Sequence, residues 1–158
     1  PLHCAFGSIP WARMLQALIG KHMEVVIQEE PTGCGIAASA ALAGLSYAEA
    51  QEKASALGIY ASDKSLWSDT EYVRKLLRDC GVSVSPTETP FESWERLPDK
   101  ALLAIKWRME HGKPFWHWVL FIREGGQEMV LDSKKALRSN VRQDFGRIKP
   151  KWYIEITN

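Results

Sequence analysis

Apolar side chains follow two different periods along this chain. Between residues 34 and 80 they recur at helical spacing, and after residue 100 they form short continuous or alternating runs. The first pattern is typical of helices packed by one face, and the second is typical of strands. Helices that come first and an antiparallel sheet that comes second predict an α+β fold. The length fits one domain, residues 1–158.

A central helix is predicted at residues 34–43, where almost every side chain is small or aliphatic. A helix that is apolar on nearly all sides is usually buried, and Gly44 is placed to end it. Ser46 and Glu49 then have the spacing of a capping box. A second helix is therefore expected from that box to about residue 57.

Two further helices are predicted from proline and glycine signals combined with apolar spacing. Residues 10–20 begin with proline and end with glycine, as short helices often do. Residues 71–80 carry an apolar face, and Gly81 is placed as the C-cap. Between these helices, residues 24–27 are expected to form a short strand or an extended entry to the central helix.

The sheet half is predicted from apolar runs that are short enough for strands. These runs are residues 101–107, 115–122, 127–131 and 151–157, with 82–85 as a further alternating segment. Gly125 and Gly126 can form the tight turn of a hairpin. Residues 91–97, just before the sheet, are expected to form one or two helical turns.

Composition limits the classes of partner. The chain has 46% hydrophobic and 25% charged residues, which are ordinary globular values. It has 20 basic and 19 acidic residues, and this balance gives no indication of nucleic-acid binding or of attraction to an anionic membrane. Its apolar stretches are too short for a membrane span. We therefore expect neither a nucleic-acid partner nor a membrane span.

The chain has three cysteines, Cys4, Cys34 and Cys80. A small, odd number of cysteines is not the pattern of a disulfide framework. No pair has CxxC spacing, so no structural zinc site is expected. A sparse, odd set suits a reducing compartment, and residues 1–19 lack the pattern of a signal peptide. The expected location is the cytoplasm, with export or delivery to another cell left open.

Cys34 is the candidate nucleophile. It lies between two glycines at a predicted helix N-terminus, where the helix dipole favours the reactive thiolate. The flanking glycines would let a substrate backbone come close. The alternative is that Cys34 is a small buried hydrophobe, as many free cysteines are. Cys80 lies at a predicted helix C-terminus, where the dipole would raise the pKa of its thiol.

His117 and Asp132 are predicted to meet across the hairpin. If the turn contains two residues, Glu124 pairs with Gln127 and Val119 with Asp132, which makes Asp132 a diagonal neighbour of His117 on one face. A register slip of one residue would move it to the other face. The alternatives are a core histidine with a hydrogen-bonding partner and an Asp-Ser turn that ends a strand.

Gln28 is the fourth candidate. Its side-chain amide can donate a hydrogen bond to an oxyanion, alongside the backbone N–H of Cys34. The alternative is a solvated polar residue. With His117 as base and Asp132 as the group that orients it, the four residues have the composition of a cysteine-nucleophile site.

These residues and their order resemble those of papain-like cysteine peptidases. Within that fold the chain is similar to bacteriocin-processing peptidases that cut after a double-glycine leader, and to their stand-alone relatives. Gln28 precedes the Gly-Cys-Gly of residues 33–35 by the papain-like interval. Residues 117–120, His-Trp-Val-Leu, resemble that group's His-aromatic-Val-Val/Leu strand. Residues 131–133 resemble its Asp-Pro after the next strand. The resemblance covers roughly residues 24–133.

The resemblance implies a fold, a reaction and a role for each residue. N-terminal helices, one of them carrying Cys34, would pack on a C-terminal antiparallel sheet. Cys34 would be the nucleophile, His117 the general base and then acid, Asp132 the orienting residue, and Gln28 part of the oxyanion hole. The implied partner is a peptide or protein substrate, and no metal or organic cofactor is implied.

Two departures leave the substrate open. Gly33 stands where the group usually has Asp, and Ser133 stands where Pro is common. Besides peptide hydrolysis, the same triad could run deamidation, transglutamination or another acyl transfer in a bacterial toxin or effector. A third possibility is a non-catalytic module that holds a peptide in the groove.

Overall fold

Three α-helices are followed by a six-stranded sheet in the computed structural model, which describes residues 23–158. The predicted α+β class is confirmed. The helix predicted at residues 10–20 lies outside the described residues. The helices are α1 Cys34–Ala43, α2 Tyr47–Ala56 and α3 Glu71–Asp79, and the strands are β1 Thr89–Pro90, β2 Lys100–Glu110, β3 Lys113–Glu124, β4 Gln127–Leu131, β5 Val141–Arg142 and β6 Trp152–Glu155.

The ends of the helices follow the predicted signals. Gly44 ends α1 in the left-handed region, at a φ of 69°. Ser46 and Glu49 form the complete capping box at the start of α2. Helix α3 ends at Asp79, so Cys80 is its C-cap residue and not part of the helix. These boundaries are local, because each depends on backbone groups within one turn of the signal.

The sheet is antiparallel throughout, with the strand order β1-β6-β2-β3-β4-β5. Gly125 and Gly126 join β3 to β4 with φ angles of 58° and 77°. Two positive φ angles match the twist of a hairpin turn. Glu124 pairs with Gln127 as predicted, which sets the register of the whole hairpin.

Both faces of the central strands are buried. The helices cover one face, where Trp118, Leu120 and Ile154 pack with α1. The opposite face forms a smaller core that includes Val119 and Phe121. Successive side chains of a strand point to opposite faces, so β3 supplies both cores in alternation. Because both faces of β3 are buried, residues 115–122 are apolar almost without interruption and do not alternate with polar residues.

Two local predictions were wrong. Residues 91–97 form no helix. Pro98 has no N–H to donate to the Trp94 carbonyl, and Arg123 donates hydrogen bonds to the carbonyl oxygens of Trp94 and Leu97, at 3.0 and 2.7 Å. Residues 82–85 contribute a single bridge, from Val84 to Ile156, and no strand. Of the two expectations for residues 24–27, the strand is not formed, because they pair with no strand in the described part of the chain.

Strand β2 extends three residues beyond the predicted end and contains a bulge. Ile105 pairs with His117 and Arg108 with Phe115, so one extra residue lies between those two pairs. Lys106 has a φ of 51° there. Bulges redirect side chains and are frequent beside functional sites. This bulge begins directly after Ile105, the residue that pairs with His117.

None of the helices within residues 23–158 is both long enough and apolar enough to cross a membrane.

Candidate active site

Helix α1 begins at Cys34, and the packing around this residue depends on the two glycines beside it. A Cβ atom on Gly33 would lie 2.2 Å from the Tyr47 hydroxyl oxygen, and one on Gly35 would lie 2.1 Å from that of Tyr72. Contacts this short are not tolerated. The glycines therefore make room for two tyrosines inside the protein, whereas the sequence suggested that they admit a substrate.

Tyr47 also explains why Gly33 stands where the resembled group has an acid. Its hydroxyl donates a hydrogen bond to the carboxylate of Glu30, which accepts a second hydrogen bond from Gln51 Nε2 at 2.6 Å. Burial and the neighbouring Glu30 raise the pKa of Tyr47 well above its ordinary value. Tyr47 thus stays a neutral donor, and it occupies the space that a side chain at position 33 would need.

The N-terminus of α1 has no side-chain cap. Gly33 is the N-cap residue and offers no side-chain acceptor to the first N–H groups of the helix. These groups have no partner within the helix, and they give its N-terminus a partial positive charge. The backbone N–H of Cys34 is therefore positioned to meet negative charge that develops beside its own thiol.

His117 and Asp132 form the sheet half of the site. His117 lies on β3, and Asp132 is the first residue after β4. His117 Nε2 donates a hydrogen bond of 2.7 Å to Asp132 Oδ1. The Asp132 carboxylate is fully buried, and the imidazole is 14% exposed. The contact is the one that the two-residue turn predicts.

Arg142 holds the other carboxylate oxygen of Asp132. Its Nη1 donates to Asp132 Oδ2 at 3.0 Å, and the same guanidinium makes two 3.0 Å hydrogen bonds to Asp144. Burial works to raise the pKa of Asp132, but hydrogen bonds from His117, the Lys134 backbone and Arg142 outweigh it and lower that pKa. The role of Arg142 was not predicted from the sequence, because nothing in the polar segment around it indicates which carboxylate its guanidinium binds.

Asn140 has a supporting position beside Asp132. Its Nδ2 donates to the backbone oxygens of Asp132 and Lys134, at 2.7 and 2.8 Å. The backbone N–H of Asp132 in turn donates to the Asn140 carbonyl at 2.8 Å. Asn140 thus holds the turn after β4, and the carboxylate of Asp132, not the amide of Asn140, contacts His117.

The imidazole of His117 joins the two halves. Since Nε2 is engaged by Asp132, Nδ1 is the ring nitrogen that remains for Cys34, which lines the same cleft as His117. Burial alone would lower the pKa of His117, but Asp132 and Cys34 stabilise the imidazolium and raise that pKa to about 9. The ring is therefore charged at neutral pH.

Gln28 ties the two halves together and is not solvated, being only 7% exposed. Its Oε1 accepts a hydrogen bond from Ser133 Oγ at 2.7 Å. Its Nε2 donates to the carbonyl oxygens of Glu30 and Pro31, at 2.9 and 3.1 Å. Both amide donors are thus engaged. A role in the oxyanion hole requires one of them to turn toward the substrate, and it stays a prediction.

A cleft of about 400 Å³ opens over Cys34 and His117. That volume is within the range of small-molecule and peptide-residue pockets. Trp67 and Trp116 line it, and Trp67 stacks edge-on against Phe115 at 6.0 Å. Trp94, by contrast, packs in the smaller core and does not line the cleft.

The other cysteine and histidine among the described residues, Cys80 and His111, do not line the cleft. Cys80 is partly buried, and that burial raises the pKa of its thiol. His111 lies in the β2–β3 turn. Cys4, His3 and His22 lie outside the described residues. Among residues 23–158, no group of three histidine, cysteine or acidic side chains is arranged to hold a metal ion.

The chain matches no model of a protein family, and a search of curated proteins finds no similar sequence.

Proposed function

We propose that this protein is a papain-like cysteine peptidase that hydrolyses a peptide bond through Cys34, His117 and Asp132. The observation that carries the proposal is the position of His117, whose ring is hydrogen-bonded to a buried carboxylate and lines the same cleft as Cys34. Two strand regions and a helix start are needed to bring these side chains together. The order of helices and antiparallel strands agrees with such a fold.

The acylation step uses the imidazolium and the thiolate. The thiolate of Cys34 attacks the carbonyl carbon, and the electrons of the carbonyl double bond move to the oxygen. His117 then gives its proton to the amine nitrogen as the C–N bond breaks, so the amine leaves neutral and a thioester remains on Cys34. Asp132 keeps the ring oriented and stabilises its charge before that transfer.

Deacylation reverses the direction of proton transfer. A water molecule gives a proton to the now neutral His117 and attacks the thioester, which releases the acid and restores the thiolate and imidazolium pair. In both steps the oxyanion would be held by the backbone N–H of Cys34 and by Gln28. Gln28 would have to exchange one carbonyl acceptor for the oxyanion.

Alkylation with iodoacetamide tests the nucleophile, and Cys80 is a control within the same chain. We expect Cys34 to react at least about tenfold faster than Cys80 at neutral pH, because only Cys34 has an imidazolium beside it. Peptide mapping by mass spectrometry measures both rates. His117→Ala should slow the reaction of Cys34 and leave that of Cys80 unchanged. Equal rates at the two cysteines in the unaltered protein would contradict the proposal.

Mass spectrometry of treated peptides distinguishes hydrolysis from the other acyl-transfer reactions. Two fragments whose masses sum to the substrate plus one water indicate peptide-bond cleavage. A mass change on a side chain of an intact peptide indicates deamidation or transglutamination instead. The Cys34→Ala variant should produce neither, and cleavage or modification that survives this change would contradict Cys34 as the nucleophile. Absence of both products in the unaltered protein, together with peptide binding, would favour the non-catalytic alternative.

A further inference from the structure

The sheet side of the cleft is basic. Lys106, Arg108, Lys134 and Lys135 line it, although the chain as a whole has a formal charge of only +1. Arg108 is paired with Glu110. The three lysines take part in none of the ion pairs within residues 23–158. Within the described part of the chain, none of these three ammonium groups is held in an ion pair, although Glu29 and Glu30 line the same cleft.

Lys106 and Lys134 are brought close together by the fold. Lys106 lies in the bulge of β2 at a φ of 51°, which is an uncommon conformation for a residue other than glycine. Partial desolvation first, and then the nearby Lys134, lower the pKa of its ammonium group. Two neighbouring cations are unfavourable in the empty cleft, and an anion between them would relieve that repulsion.

These two lysines do not simply neutralise Asp132. Its carboxylate is already engaged by His117 on one oxygen and by Arg142 on the other, at 2.7 and 3.0 Å. The lysine side chains are exposed along the cleft, whereas the carboxylate is fully buried. Their charge is therefore available to a group that enters the cleft.

The position of the lysines relative to the triad assigns them to one side of the scissile bond. Ile105, next to Lys106, pairs with His117, and the backbone N–H of Lys134 donates to Asp132 Oδ1 at 3.2 Å. The leaving nitrogen must approach His117 to receive its proton, so the leaving peptide lies on this side. The loop that precedes Cys34 carries Glu29 and Glu30, and both line the cleft. Cys34, which follows this loop, is the residue that would hold the acyl group.

We propose, on the basis of the peptidase function proposed above, that Lys106 and Lys134 bind a carboxylate on the leaving-group side of the scissile bond. The substrates are then peptides with Asp or Glu, or a free C-terminus, one or two residues after the cleaved bond. The acidic loop before Cys34 would disfavour the same residues on the acyl side, because like charges repel.

Matched peptides test this preference. One pair has Glu or Gln at the first position after the bond, a second pair has them at the first position before it, and a third pair has a free or amidated C-terminus two residues after it. We expect kcat/KM to be roughly fivefold higher for Glu than for Gln after the bond, and no such gain before it. The third pair shows whether a terminal carboxylate serves as well as a side chain. The preference should shrink at 1 M salt, where charges are screened beyond about 3 Å.

Variants that remove the charge of one lysine at a time test whether these lysines cause the preference. Lys106→Gln and Lys134→Gln should each reduce the Glu-to-Gln ratio of kcat/KM, and the double variant should bring it close to one. Lys149→Gln removes an exposed charge outside the cleft and should leave the ratio unchanged. A ratio near one in the unaltered protein, with all peptides cleaved, would overturn the inference and leave the peptidase proposal intact.

A binding assay tests the carboxylate site even if the protein hydrolyses no peptide. The Cys34→Ala variant with fluorescent peptides reports affinity by anisotropy without turnover. Tighter binding of the peptide with Glu after the bond, reduced by Lys106→Gln and Lys134→Gln, supports the carboxylate site even if no peptide is hydrolysed. Equal affinity for the Glu and Gln peptides overturns it. Equally strong binding of a single-stranded oligonucleotide would also overturn it, since the lysines would then be a general anion surface.

Discussion

The two halves of the candidate site are held in place by different forces. On the helix side, Cys34 is located by shape, because Tyr47 and Tyr72 fill the space above the two flanking glycines. On the sheet side, His117 and Asp132 are located by charge and hydrogen bonds, with Arg142 as the outer cation. The thiol and the imidazole meet where these two regions come together.

The difference shows how each half can fail. Close packing leaves no room for added volume, so a larger residue beside Cys34 on the helix side should clash and lower the free energy of unfolding. A buried charge network depends on every partner, so loss of one charged group on the sheet side should change the pKa values of the others and lower the catalytic rate. The comparison therefore predicts that substitutions in the two halves have separable effects on stability and on the pH profile.

The largest effect is expected for Asp132→Asn, which breaks the sheet half. Loss of the carboxylate should reduce kcat/KM by about a thousandfold, because the imidazolium loses its orienting partner. The pKa of His117, about 9 in the folded protein, should fall. The imidazolium is present below that pKa, so the alkaline limb of the kcat/KM profile should move to lower pH. An unshifted alkaline limb would show that Asp132 does not control the charge of His117.

Next in size is Gln28→Ala, at the junction of the halves. If one amide donor turns to the oxyanion, kcat should fall by about a hundredfold with little change in KM. If the amide remains on the carbonyls of Glu30 and Pro31, the loss should appear as reduced stability to urea with kcat nearly retained. Steady-state kinetics and urea unfolding on the same samples distinguish the two results.

Gly33→Ala and Gly35→Ala probe the helix half, each with an expected loss of about 1–3 kcal/mol in the free energy of unfolding. Tyr47→Phe should recover part of the loss at Gly33, because it removes the clashing oxygen and leaves contacts of 3.1 Å or more. Tyr72→Phe should not rescue Gly35→Ala, because ring carbons remain at 2.7 and 2.8 Å. Double-mutant cycles in urea measure both, and equal rescue at the two sites would contradict the steric explanation.

The smallest effect, about tenfold in kcat/KM, is expected for Arg142→Gln. Within residues 23–158 the guanidinium of Arg142 donates its hydrogen bonds to Asp132 and Asp144 and not to His117 or Cys34, so Arg142 acts as a positioning residue. Without its cation the pKa of Asp132 should rise, which moves the acid limb of the profile upward. Arg142→Lys should restore part of the activity and of the profile. The exposed Arg138→Gln is the charge-matched control and should change neither.

The fold could be predicted wherever a local signal was complete. The capping box of Ser46 and Glu49 and the glycines at 125 and 126 act within a few residues, and both were found from the sequence. The turn also set the register that brings Asp132 to His117. Residues 91–97 were mispredicted because apolar spacing outweighed Pro98, which has no N–H for a helix bond, and because the hydrogen bonds from the distant Arg123 to the carbonyl oxygens of Trp94 and Leu97 are not visible in the sequence.

Three features could be predicted from the sequence: the class of fold, the helix that starts at Cys34 and the contact of His117 with Asp132 across the hairpin. All three follow from periodicity and short-range backbone chemistry. Three features became known only from the three-dimensional contacts: the tyrosines occupy the space beside the glycines, both Gln28 amide donors bind carbonyl groups, and Arg142, Lys106 and Lys134 lie around the triad. These are contacts between segments distant in sequence, and side-chain packing in three dimensions selects them.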